Sequence, residues 1–170
     1  AAAAVFVVKE RAVKAKHLQL VSGAGTVAYW AAAYLWDCLM YLITALAVVW
    51  VFRWYDEPGY VGDAEQASAT TALLCLYGAT VLPLVYCASF TFESHTTAQI
   101  GILLLNLVTG FVAVIAHQVM SRIPSALELD DFLLPIYRLF PPYLFGEALL
   151  NLSQSWYQQA GFDAARLGLE

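Results

Sequence analysis

The chain reads as an all-α, polytopic membrane helical bundle, and three observations lead there. Of its 170 residues, 61% are hydrophobic and 12% charged, about half the charge expected of a soluble domain. The apolar residues fall in runs of membrane-spanning length, with aromatic residues gathered at the ends of the first run. Short polar breaks rich in acids, with Pro and Gly in the first, separate these runs. A chain with so little polar material cannot cover a water-exposed surface. The formal net charge of −5 says less than the position of each Lys and Arg, because those in short loops set orientation.

The opening AAAAVFVVKER resembles neither a signal peptide nor a natural start: its charges follow a short apolar run and no Met opens it. Val5–Val8 read as the cytoplasmic end of a preceding span, and the whole chain as an excerpt. Glu10–Leu20 contains neither Pro nor Gly and reads as a helix, with Glu10 and Lys14 as an i,i+4 pair. Lys9, Arg11, Lys14 and Lys16 make it the basic cluster of the chain, which places it on the cytoplasmic side. Val13, His17 and Leu20 fall near one face, and Ser22–Gly25 ends the helix. Residues 1–28 are thus the end of a span followed by a cytoplasmic surface helix. That helix either lies on anionic lipid as a topology anchor or docks on another domain. One short basic helix beside a span is no nucleic-acid site.

The first complete span is expected at 29–54, flanked by Tyr29 and Trp30 at one end and Trp50, Trp54 and Tyr55 at the other. Residues 56–66 hold Pro, two Gly and four acids, and form an outer loop. The second span, 67–92, contains Pro83, which removes one intrahelical hydrogen bond and needs a neighbour to cover the gap. After the tight break at 93–97 comes the third span, 98–120. Residues 121–155 read as an exoplasmic loop and a broken re-entrant or interfacial hairpin, because Pro135, Pro141, Pro142 and Gly146 interrupt apolar pieces too short to cross. Gly146 and Glu147 are expected to shape the turn at its tip. Residues 156–170 form a polar tail.

Few polar residues lie inside the spans. Asp37 is the acid within one, where an unpaired carboxylate is costly, so it is expected to be protonated or paired, for instance with a Lys of the elbow. Asn106, Gly110, Ala113 and His117 recur at three and four residues and form a small and polar stripe, suited to close helix packing or to a substrate cleft. Cys38, Cys75 and Cys87 have no close-spaced partners and read as free thiols, with metal binding improbable. No Ser/His/Asp constellation is defensible.

Several stretches together resemble one family. KERAVKAKHLQLVSG followed by YW and YLWD, then LCLYGATVLPLVYCASFTFES, NLVTG and LFPPYLFGEALLNL, are similar to the second transmembrane half of ABCA-type ATP-binding cassette transporters. The resemblance implies an ABC-2, type V exporter-like transmembrane fold. It also implies that Glu10, Arg11, Val13, Lys14, Lys16, His17, Gln19 and Leu20 belong to a coupling elbow that sits against a nucleotide-binding domain. The implied partners are that domain, the other transmembrane half and membrane lipids; the implied cargo is lipid. The chain carries neither a P-loop nor a signature motif, so no cofactor is expected in it, and ATP and Mg2+ are expected in the nucleotide-binding domains. The alternative is a non-transporting membrane scaffold derived from a transporter half. An intramembrane enzyme built on Asp37 or His117 has no compact constellation behind it. The membrane involved, plasma membrane or organelle, is not legible.

Overall fold

The computed structural model describes residues 2–12, 23 and 25–167, and among these every regular element is helical. The elements are α1 (Ala2–Ala12), α2 (Thr26–Trp54), α3 (Pro58–Val61), α4 (Ala64–Ser89) and α5 (His95–Leu107). A π-helical turn (Val108–Val112) joins α5 to α6 (Ala113–Met120) without a break. A 3-10 turn (Pro124–Ala126) then leads into α7 (Leu127–Tyr137) and α8 (Pro141–Leu167). Among the described residues, three helices are long and apolar enough to cross a membrane: Thr26–Trp54, Ala64–Ser89 and His95–Met120. At 1.5 Å per residue the shortest reaches about 39 Å, more than the roughly 30 Å of a hydrocarbon core.

Each of these helices starts three residues before its apolar run. Hydropathy marks the part immersed in lipid, whereas the helix begins in polar residues: Asp63 and Ser94 stand in extended conformation immediately before α4 and α5. Helix α2 buries Ala45 alone. Its Trp36 and Trp50 are 62% and 61% exposed, and helices apolar on every face need lipid or another subunit around them.

Tyrosines fasten α2 to α4. Pro83 lies inside α4 and has no N–H for the carbonyl of Ala79, four residues earlier. The Tyr34 hydroxyl of α2 donates to that carbonyl at 3.2 Å. Two turns further along α2, the Tyr41 hydroxyl donates to the Leu74 carbonyl at 3.0 Å. Its ring can lie on α4 because residue 78 is Gly, where a Cβ would stand 2.2 Å from two ring carbons. Helix α1 wedges between α4 and α5. Its Ala3 and Val7 are buried with Val81, Leu82, Val85, Tyr86 and Ile102 in the main core.

The bundle has two ends. Loop 55–63 marks the acidic end, and the tight connection at 90–94 marks the other. In the acidic loop Asp56 takes a positive φ of 47°, and Glu57 is extended ahead of Pro58, which opens α3.

Candidate functional site

Helices α7 and α8 form a hairpin whose turn lies at 138–140. Pro141 opens α8, a position where the missing N–H costs nothing. The turn packs on the π segment near Gly110, roughly 15 Å along the helix from Met120. From there α8 runs along α4 toward the acidic end, with Phe145 stacked on Tyr77 at 4.5 Å and the Tyr157 hydroxyl donating to Glu57 at 2.9 Å. That bond to a carboxylate holds the Tyr157 phenol above its ordinary range.

Gly146 and Glu147 do not form the tip. They lie inside α8, which continues unbroken through residue 155 into the stretch expected to be a polar tail. A helical Gly is weaker than Ala by about 1 kcal/mol, and close packing explains it here. A Cβ on Gly146 would stand 2.9 Å from Val114 Cγ2 and 3.1 Å from the Gly110 carbonyl oxygen. On Gly110 it would meet Pro142 Cβ at 3.0 Å. Two glycines therefore let α8 sit against the π turn with almost no space between backbones. Pro142 is buried in the same contact.

Glu147 accepts from Arg138 Nη2 at 2.8 Å and from Nε at 3.3 Å. This fork spans the turn and ties α7 to α8. Beside it, His117 Nδ1 lies 3.0 Å from Asp130 Oδ1, joining α6 to α7. Asp130 is 3% exposed. Tyr143 lies beside the pair, its ring 6.3 Å from that of His117 and steeply inclined to it, and packs with Ala113, Val114, Leu134, Tyr137 and Leu150. The Tyr143 hydroxyl is buried and has no hydrogen-bond partner among the described residues.

The small and polar stripe thus divides between two partners. Ala113 and His117 meet the hairpin. Asn106 donates to the Ile102 carbonyl at 2.8 Å and accepts from Tyr77 of α4 at 3.4 Å. Asp37 accepts from the Tyr86 hydroxyl across the α2–α4 interface, so the partner it finds is a neutral donor on α4. Asp37 and Asn106 both line a lateral cleft of about 450 Å³, walled by Tyr41, Tyr77, Leu103 and Ala3 of α1.

Of the elbow residues, Glu10 lies in the last turn of α1 and accepts from the Tyr29 hydroxyl at the start of α2. Arg11 lies in α1. Val13, Lys14, Lys16, His17, Gln19 and Leu20 lie outside the described residues. No group of three or more His, Cys, Asp or Glu side chains suited to a metal occurs among the described residues, and nothing in the seat resembles a nucleophile with its base.

Asp130, Tyr143, Tyr86 and Arg138 escaped the sequence reading. Asp130 had a signal: it precedes Leu134 and Tyr137 by four and seven residues, the spacing of one helical face, whereas its exposed neighbour Asp131 is off that face. An acidic segment ELDD conceals it.

The family profile described as ABC-2 family transporter protein matches residues 1–166. The chain is 34% identical over 156 residues to rat ATP-binding cassette sub-family A member 2, covering 90% of this chain and 6% of that protein. To the rat phospholipid-transporting ATPase ABCA3 it is 34% identical over 154 residues, or 89% of this chain and 9% of that one. To the bovine retinal-specific phospholipid-transporting ATPase ABCA4 it is 34% identical over 170 residues, or 98% of this chain and 7% of that one. The chain spans less than a tenth of each of these relatives.

Proposed function

The chain belongs to the ABC-2 family of transporter proteins, and from that premise we propose that it forms part of the second transmembrane domain of an ATP-driven transporter that moves lipid across a membrane. The observation that carries this reading is the similarity along 98% of the chain to a protein named as a phospholipid-transporting ATPase. The basic cluster Lys9–Lys16 faces the cytoplasm, as its four Lys and Arg beside a span favour. Loop 55–63 and the α7–α8 hairpin then lie toward the exoplasmic side, and the hairpin enters the membrane from there.

ATP and Mg2+ act in nucleotide-binding domains that pair with this domain and with the other transmembrane half. Their binding and hydrolysis displace the elbow, in which Lys14, Lys16, His17 and Gln19 set polarity while Val13 and Leu20 supply the apolar side. The Glu10–Tyr29 bond supports this reading, because it ties the start of the elbow, at the end of α1, to the first turn of α2. The contribution of this chain is two packings of the same spans, with the lipid path open differently in each.

The test uses the full-length protein in liposomes with a headgroup-labelled phospholipid. The expected result is leaflet transfer that requires hydrolysable ATP. Replacing Lys14 and Lys16 by Ala should lower lipid-stimulated hydrolysis at least five-fold without loss of assembled protein. Absence of transfer would refute the transporter reading in favour of a scaffold, transfer independent of nucleotide would refute the ATP-driven reading, and unchanged coupling in the double variant would refute the elbow assignment.

A further inference from the structure

Segment His95–Met120 carries a change of register at its centre. Before the π turn, Asn106 is bonded to Tyr77 of α4. Within it, Gly110 lies against Pro142, and Thr109 is buried with its hydroxyl donating back to the Leu105 carbonyl at 2.7 Å. After it, Val114 lies against Gly146, and His117 meets Asp130. At about 100° per residue, Asn106, Ala113 and His117 of an uninterrupted α-helix would point within about 20° to 40° of one another. The π turn takes up one extra residue and rotates everything from Ala113 onward by about 100° relative to Asn106. The rotation is what lets Asn106 serve α4 while His117 serves the hairpin.

A π turn is intrinsically poorer than the α-helix on either side of it, and persists where tertiary contacts hold it. Here the contacts after the turn, and the one upon it, come from α7 and α8. We propose that Val108–Val112 is a register clutch set by hairpin docking. With the hairpin seated, Pro142, Gly146 and Asp130 hold the turn in its π form. With the hairpin released, the segment closes to a continuous α-helix. Ala113–Met120 then turns by about 100°, carrying His117 off the hairpin face and bringing the exposed Ile115 and Val119 to new neighbours. Hairpin movement becomes rotation of the end of a span. The inference stands on packing alone and needs neither ATP nor transport to hold.

The experiment is an alkylation scan on the full-length protein in lipid nanodiscs, with native cysteines replaced and single Cys placed at 100–105 and 113–120. Gly146→Ala drives a Cβ into Val114 and the Gly110 carbonyl, and a Leu134→Cys reporter reads whether the hairpin opens. In Gly146→Ala the reactive positions within 113–120 should move by one residue while those at 100–105 stay. The original pattern should return in part in Gly146→Ala/Val114→Ala, which removes the nearer of the two contacts, the one with Val114 Cγ2. If Leu134→Cys becomes reactive and the 113–120 pattern is unchanged, the hairpin leaves without turning the span and the clutch is refuted. Failure of Leu134→Cys to react refutes it equally, since the close contact then does not hold the hairpin. Should Gly146→Ala fail to accumulate, Asp130→Ala, which deletes the pair and keeps the packing, is scanned and judged in the same way.

Discussion

Tyr34→Phe removes one oxygen, and its effect should depend on a residue 49 positions away. Without Pro83 the Ala79 carbonyl would accept the backbone N–H of residue 83; with it, the Tyr34 hydroxyl is the donor that remains. A hydrogen bond between membrane helices contributes about 0.6 kcal/mol on average and about 1.7 at most. At 3.2 Å this one lies beyond the usual 2.5–3.0 Å of O–H···O bonds, which points to the lower half of that range. A carbonyl left without a donor on a lipid-facing part of a span carries a further cost, because no water is there to replace the bond, so Tyr34→Phe should destabilise by about 1 kcal/mol. Pro83→Ala restores the N–H, and in that background Tyr34→Phe should cost only a few tenths of that. The assay is a double-mutant cycle by reversible denaturant unfolding of the full-length protein in bicelles, with helix content as the signal. Equal losses from Tyr34→Phe in both backgrounds would show that the hydroxyl does not substitute for the missing donor.

Gly78→Ala should be more damaging, because the new Cβ meets the Tyr41 ring at 2.2 Å; a loss of about 3 kcal/mol or more is expected, seen as a collapse of monodisperse protein on size exclusion and partly reversed by Tyr41→Ala. His117→Ala leaves the buried Asp130 carboxylate without the imidazole, so it should destabilise by about 3 kcal/mol, whereas His117→Ala/Asp130→Leu should recover most of that; equal melting temperatures for the two variants would contradict the pairing. Asp37→Asn keeps an oxygen that accepts from Tyr86 and should hold at least half the wild-type yield of folded protein, while Asp37→Leu, which strands the phenol, should not; a comparable loss in both would point to an ionic partner instead.

The sequence by itself determined that the chain spans a membrane, roughly where, and where it breaks. Hydropathy reports the medium around a helix, and an all-round apolar run such as Thr26–Trp54 has few other places to be. Composition and spacing also marked the stripe from Asn106 to His117 as a surface for close helix packing or for a substrate cleft, and Pro83 as a residue that must be compensated. They could not say by whom. Tyr34 is one tyrosine within an apolar span until α2 and α4 are brought together, and Asp130 is one acid among several until α7 folds back on α6. Gly146 reads locally as a helix breaker, yet contact with Val114 and Gly110 outweighs a propensity difference of about 1 kcal/mol. The π turn leaves no local trace, because it exists to reconcile two registers set by distant helices. Lipid fixes which residues are apolar; only the long-range fit between helices decides which polar groups meet.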